Sequence, residues 1–456
     1  MRKVGCIALV GGLGLSLLGS CASVPPAAER ADKTGASLRG SYSASAMPDM
    51  ELQNSLLSLF SDKQLSATVN RALERNPDLK VARGRLEEAG YNLRKARGGL
   101  FPSIGGSGSA ARDQAVGGSR ATTFYAGLDA SWEVDVWGRI GSGVSAAEAD
   151  EASLAADYAA ARQSLIAQTM QAWFELVGAE RSLQLNQRRV TSLASTQKIV
   201  DRRFEAGQAS LADTNLSKTD LENARADLAA TLDRRDQAAR QVRILTGDYP
   251  DANLSASSWP SLKRSVRAGV PSDLLRQRPD IAAAYQDILA ADARVKVAHA
   301  DLFPSFVLTA SNGQLSSKLA DLASSGFNTW SLLAGISAPI FEGGQRRAEL
   351  GAAGKRAEQA LHSYQSIVLT ALREVEDALG SEHYLAREEK SRFAALEAAN
   401  RAYDRSLRDY EAGITDLLSL LESQRSVFST EQQTIDLRTS RLSNRVALAL
   451  ALGKAE

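Results

Sequence analysis

Thiols are almost absent from this 456-residue chain: its two cysteines, Cys6 and Cys21, both lie at the N-terminus. No disulfide framework or cysteine metal site can hold the body together, so stability must come from packing. The three histidines, His299, His362 and His383, are isolated on helical stretches, without HExxH spacing, and no phosphate-binding glycine loop carries its lysine. They read as surface or seam residues. The run Gly105-Gly106-Ser107-Gly108 reads as a strand with little side-chain bulk rather than an oxyanion turn. No enzyme chemistry, metal or cofactor is expected. The net charge of +1 lacks the basic footprint that nucleic acid binding requires. Beyond the N-terminus no apolar run reaches the ~18 residues of a membrane-spanning helix. The eleven prolines leave residues 103–249 and 340–456 free of that breaker, so long helices are possible there.

The N-terminus itself is apolar. Met1-Arg2-Lys3 precedes an apolar run from Val4 to Leu18 and then Gly19-Ser20-Cys21, the pattern of a secretory signal over 1–20. Leu18-Gly19-Ser20-Cys21 also resembles the bacterial lipobox, in which the cysteine sulfur receives a diacylglycerol and the freed amine a further acyl chain. Cys21 is thus the expected lipidation site, with a plain signal peptide as the alternative. Several acyl chains, at ~0.8 kcal/mol per buried methylene, anchor a protein firmly to a leaflet. Ala22, where an aspartate could stand, favours the outer membrane in that lipoprotein class. Residues 21–60, rich in Ser, Ala, Pro and Gly, read as an anchor followed by an extended arm.

The body is written twice. Asn76-Pro77-Asp78 through Phe101-Pro102-Ser103 returns 202 positions later as Arg278-Pro279-Asp280 through Phe303-Pro304-Ser305. Phe204-Glu205-Ala206-Gly207 returns at 206 as Tyr410-Glu411-Ala412-Gly413. An internal duplication of roughly 190 residues is far too long for a solenoid and implies two equivalent halves, 61–250 and 264–456, around a linker at 251–263.

Within the first half, positions from Leu165 to Phe204 alternate steps of four and three and are mostly apolar, a coiled-coil seam echoed by Leu361, Tyr364, Val368, Ala371, Val375 and Ala378. A helix from Val144 to Ala206, interrupted only by Gly178, would span about 95 Å. Gly207 and Gly413 fall where each long helix should stop, and return helices end at Gly247 and Gly453. Helical hairpins are expected over 144–247 and 345–453.

Strands precede each hairpin. From Phe124 to Val136 every even position is apolar, including Leu128 and Trp132, while the odd ones include Asp129, Glu133 and Asp135. That strict period of two makes a strand over about 122–136. Its counterpart over about 329–340 carries Trp330, Leu332 and Ile336 on one face. Upstream partners are expected at about 103–112 and 305–312, and aromatics gather at both rims, as in outer-membrane barrels. A soluble sandwich also alternates, but such long strands between very long helices behind a lipoprotein signal favour a membrane wall. Phe124, Leu128, Trp132, Trp330, Leu332 and Ile336 then face lipid, and Asp129, Glu133 and Asp135 face a watery lumen.

Four strands cannot close, and an open edge in lipid costs several kcal/mol per unpaired group. The chain must oligomerise. Three copies give twelve strands and a lumen, whereas two give eight, which side chains nearly fill. The fold class expected is mainly α with a small β-barrel contribution, closing as a trimeric barrel on a helical barrel.

Trp132-Glu133-Val134-Asp135-Val136-Trp137-Gly138-Arg139, Gln277-Arg278-Pro279-Asp280-Ile281, Leu302-Phe303-Pro304-Ser305, Phe341-Glu342-Gly343-Gly344-Gln345-Arg346 and Glu374-Val375-Glu376-Asp377-Ala378-Leu379 resemble the TolC-like outer membrane factors. The likeness runs from about Asp62 to Gly453 and is greatest to the lipidated, NodT-like branch serving tripartite multidrug pumps. It implies a homotrimer in outer membrane lipid whose hairpin tips meet a periplasmic adaptor, itself joined to an inner-membrane pump of the resistance-nodulation-division class. Carried onto this chain, the tips are Arg203, Phe204 and Gly207, and Tyr410, Gly413 and Ile414. The constriction that family members place past the second tip falls on Asp416, which reads equally as a helix N-cap. The function expected is a passive exit duct for drugs or other small toxic compounds. The exit duct of a type I protein secretion system and a purely structural envelope lipoprotein are the alternatives.

Overall fold

The computed structural model describes residues 26–36, 42, 60, 62–114, 116–256, 258–260 and 271–453. The signal segment and Cys21 lie outside them.

Each half begins with a pair of entry helices, and those of the first half carry side-chain caps. Asp62 starts α2 (Lys63–Arg75), its Oδ1 accepting from the backbone N–H of Gln64 (2.8 Å) and Leu65 (3.1 Å), while its Oδ2 accepts from Trp173 Nε1 (3.2 Å). Asn76 then caps α3 (Pro77–Gly98), where Pro77 occupies the first turn, a position that needs no N–H. The counterparts are α6 (Leu274–Gln277) and α7 (Pro279–Ala300). Asn76 Nδ2 donates to the carbonyl of Leu245 (3.0 Å), and its counterpart Arg278 donates from Nη1 to that of Ala451 (3.2 Å). Two different side chains thus tie an entry helix to the end of a return helix in the same way.

The helical hairpins match in length. The long helices α4 (Arg139–Glu205) and α8 (Gln345–Glu411) have 67 residues each, and the return helices α5 (Leu211–Leu245) and α9 (Leu417–Ala451) have 35 each. α4 starts five residues before the expected Val144 and runs unbroken through Gly178. All six seam residues from Leu361 to Ala378 are buried. The principal core surrounds Met170, Trp173 and Phe174 of α4 with Ile281 and Ile288 of α7 and Val368 and Val375 of α8. A second, smaller cluster of Leu193, Val200, Leu221, Leu417, Leu420 and Leu421 lies toward the tips. Side by side, the long elements run in the order α5, α4, α9, α8.

The four strands are β1 (Ser103–Gln114), β2 (Arg120–Val134), β3 (Ser305–Ser316) and β4 (Asn328–Ser337), antiparallel and in sequence order. β1 and β3 run further than the expected 112 and 312. Their outer ends are polar, so the hydrophobic alternation fades before the hydrogen-bonded ladder does. β4 ends at Ser337 rather than 340, since Pro339 has no N–H to give the ladder. β2 likewise stops at Val134, short of 136.

The arm is not extended throughout. Within it α1 (Ala27–Ala36) packs against α7 and α8, with Ala27 and Ala31 buried one turn apart. Asp292 of α7 accepts from the N–H groups of Ala27 (3.0 Å) and Ala28 (2.9 Å), satisfying orphan donors at the positive end of the helix. That carboxylate comes from 265 residues away, so local composition gave no sign of the helix.

Among the described residues no helix is long and apolar enough to cross a membrane, which says nothing of a β-barrel.

Candidate functional site: wall, junction and tips

Pairing fixes the two faces of the sheet, because residues opposite one another across a ladder share a face. Leu128 lies opposite Asn312, Trp132 opposite Leu308, and Phe306 opposite Ile336, which places Phe124, Leu128, Trp132, Trp330, Leu332 and Ile336 together on the even-numbered face. Trp330, Leu332 and Ile336 are each at least 70% exposed in the single chain, an apolar surface that water would not tolerate. Trp132 Nε1 donates to the carbonyl of Leu100 (3.1 Å), an aromatic with one polar edge satisfied at the lower rim.

The odd-numbered face carries the acids, which the structure separates. Asp129 sits within β2, opposite Gly105 and Ser311, and accepts from the Ser107 hydroxyl. Glu133 sits at the lower end and is gripped by Arg139, with Nε to Oε1 at 3.1 Å and Nη2 to Oε2 at 2.7 Å. Asp135 lies past the strand, where its carboxylate accepts from Ile140 N (3.0 Å) and Gly141 N (2.7 Å). The expectation that Asp129, Glu133 and Asp135 all lie on one strand face is corrected for Asp135, because β2 ends at Val134. Asp129 alone stands in the body of the wall, while Glu133 and Asp135 bind the strand to the start of α4.

The same junction is tightened by aromatics. Trp137 stacks on Phe303 (centroids 4.8 Å) and donates from Nε1 to the carbonyl of Pro304 (2.7 Å). Below Phe303, Arg346 pairs with Glu342 and reaches the carbonyl of Asp301.

At the far end, each long helix closes in a Schellman motif. Gly207 N–H bonds Phe204 O (2.9 Å) and Gln208 N–H bonds Arg203 O (2.7 Å), and Gly413 and Ile414 repeat this with Tyr410 and Asp409. The φ angles of +71° and +73° at Gly207 and Gly413 are ones that side chains resist. The turns bring the tip residues together: Arg203 stacks on the Tyr410 ring, 4.7 Å from its centroid, and its Nη1 donates to the Tyr410 carbonyl. Burial pushes the Tyr410 hydroxyl above its ordinary pKa. Phe204 and Ile414 are left exposed.

Asp416 caps α9, accepting from Ser419 N–H (2.8 Å), and that backbone hydrogen bond holds its carboxyl below the usual carboxylate range. Ser210 plays the same part for α5 in a capping box with Asp213. The links between hairpins had no local signature. Arg425 of α9 makes two bonds to Asp220 of α5 (2.7 and 2.8 Å), and Gln424 donates to Ser192, whose hydroxyl lies 2.9 Å from that of Tyr403. These partners lie some 200 positions apart, so only the duplicated hairpins, packed side by side, unite them.

An antiparallel sheet with one apolar face, standing on two very long helical hairpins, defines one protomer of an outer-membrane channel. The chain belongs to the outer membrane efflux protein family, whose model it matches over residues 68–248 and 270–454. It is 32% identical to the outer membrane protein OprJ of Pseudomonas aeruginosa over 452 residues, covering 96% of this chain and 93% of that protein. To the cation efflux system protein CusC of Escherichia coli it is 29% identical over 445 residues, covering 92% and 96%. The solved structure of the outer-membrane channel OprN superposes with a TM-score of 0.86 at 27% identity, covering 92% of this chain and 97% of that one. The protein is an outer-membrane efflux channel.

Proposed function

We propose that three copies of this chain form a passive duct for small toxic compounds, from the periplasm to the exterior. One observation carries the reading: among the described residues, the row of strands and the row of long helices each end in two flanks that do not pair with one another. In the sheet these are β1 and β4, and in the helical layer α5 and α8, which make no substantial contact with each other. α5 exposes Leu232 and Ile244 and α8 exposes Leu369 and Phe393. A head-to-tail interface, β1 on β4 and α5 on α8 of the next copy, leaves no free edge once the ring closes. Three copies supply twelve strands, enough for an aqueous lumen. The even-numbered face then meets lipid and the odd-numbered face meets water.

The wall performs no chemistry in this reading. Energy comes from an inner-membrane pump of the resistance-nodulation-division class, linked by a periplasmic adaptor that meets the tips around Arg203, Phe204, Gly207, Tyr410, Gly413 and Ile414. Docking shifts the population of packed hairpin arrangements from closed to open. Asp416 lines the closed end as well as capping α9, and acyl chains on Cys21 add a lipid anchor.

Native mass spectrometry of the detergent-extracted protein tests the ring directly. A trimer is expected, and a monomer or dimer would sink the proposal. For the anchor, palmitate labelling should disappear in Cys21→Ser, and unchanged incorporation would refute lipidation there.

A further inference from the structure

We propose that the outer rim of the wall binds the phosphates of an outer-leaflet glycolipid through Arg112 and Arg120. The proposal rests on the ring described above, with its even-numbered face toward lipid.

The register isolates these two side chains. Across all four strands the even-numbered face carries only two charged residues, both arginines near the outer end: Arg112 opposite Thr122, and Arg120 opposite Gln114. They are diagonal neighbours, roughly 7 to 8 Å apart. Like charges side by side on one face repel, and no acid on that face offsets them. Asp113 stands on the other face, and Asp321 of the loop between β3 and β4 accepts from the Ser316 hydroxyl (3.0 Å). Arg120 Nε donates to Gln114 Oε1 (3.1 Å), which steadies the guanidinium. Neither arginine makes an ion pair among the described residues, so the pair is an anion seat without its anion.

Its height along the wall says which anion. Between Trp132 at the lower rim and Phe124, β2 climbs about 21 Å at ~3.4 Å per residue and a tilt of ~40°. That is close to the ~25 Å apolar band of outer-membrane barrels. On the same scale Arg112 and Arg120 stand about 5 and about 10 Å above Phe124, level with headgroups. A positive charge costs little there, whereas at mid-membrane it would be strongly unfavourable. Ala110 and Phe124, one pair lower on the same face, and Leu128 beneath them give acyl chains an apolar wall directly under the arginines.

A planar guanidinium forks onto two phosphate oxygens at once, and lysine does not. Two of them side by side suit a headgroup carrying more than one phosphate, the chemistry of lipopolysaccharide, better than a glycerolipid with one. The repeat does not copy the pair: Gln314 stands 202 positions after Arg112. Each protomer therefore contributes one such seat, at the outer end of β1 and β2.

Titration of the full-length protein in detergent with bisphosphorylated lipid A, read by native mass spectrometry, tests this. Arg112→Gln and Arg120→Gln should each weaken binding about threefold and the double variant about tenfold. Lysine at both positions should keep part of the affinity, and monophosphorylated lipid A should bind the wild type more weakly. Conductance of the double variant in planar bilayers should match the wild type, since neither residue lines the passage. Equal affinity of wild type and double variant for lipid A would overturn the inference and leave the duct standing. So would phosphatidylglycerol binding the wild type as tightly as lipid A does. A protein extracted as a monomer would overturn the ring, and this inference with it.

Discussion

The Arg203 guanidinium lies 4.7 Å from the centroid of the Tyr410 ring and donates to the Tyr410 carbonyl, so the tip of one hairpin grips the tip of the other. A planar, permanently charged group suits both contacts, which lysine cannot reproduce together. Arg203→Ala should loosen the closed end at a cost of about 1 kcal/mol in the cation–π contact alone. Raised basal conductance in planar bilayers, with Arg203→Lys intermediate, is the expected outcome. Conductance equal to the wild type would show that this grip does not hold the tips closed.

The tip turns depend on glycine. At φ near +71° and +73°, valine in place of Gly207 or Gly413 should cost about 1 to 2 kcal/mol each. Hydrogen exchange should report faster opening of the last turns of α4 and α8, with the principal core around Trp173 unaffected. Uniform loss of protection along the helices would contradict a local effect.

Glu382 of α8 is 7% exposed and bonds Arg445 (2.5 Å) and Arg441 (3.4 Å) of α9. Removing the carboxylate takes one charged partner from Arg445 and Arg441, while Arg441 keeps Glu389, so Glu382→Ala should destabilise the second hairpin by about 1.5 to 3 kcal/mol. The exposed pair Arg401 with Glu397 provides the contrast, since Arg401→Ala should cost ~0.5 kcal/mol or less. Thermal unfolding in detergent should separate the two variants clearly, and equal melting temperatures would contradict the burial argument.

Asp416 should make the start of α9 sensitive to acid. Its folded-state pKa is lowered by the Ser419 N–H, so the cap is at full strength above the usual carboxylate range and is lost as pH falls through the lowered value. Protection factors at Leu420 and Leu421, corrected for the intrinsic exchange rate, should fall as pH drops below about 3.9 in the wild type. Asp416→Asn keeps an acceptor and should remove the pH dependence, whereas Asp416→Ala should fray the turn at every pH. If Asp416→Asn also changes conductance, the residue lines the constriction as well as capping.

Much of this architecture was legible because it follows periodic rules. The three-four seam from Leu361 to Ala378 foretold a buried stripe, the period of two from Phe124 foretold a two-faced strand, and Gly207 and Gly413 foretold both tips. Strand ends were less legible, since the ladder continues on backbone groups after side-chain alternation has faded. Asp135 misled for a related reason: it keeps the strand's parity one step past the last pair, where its carboxylate turns to the α4 N-terminus instead.

By itself the sequence determined the duplication, the helices and strands, and the sidedness of the wall, because each depends on neighbours within a few residues or on comparison of one half with the other. Tertiary structure alone decided that Asp292 caps α1, that Arg203 grips Tyr410, that Arg425 meets Asp220, and that the Tyr125 ring rests on Gly127 and Gly313 beside Asp129. Those contacts join segments distant along the chain, and side-chain spacing within one segment holds no information about which remote group will be packed against it.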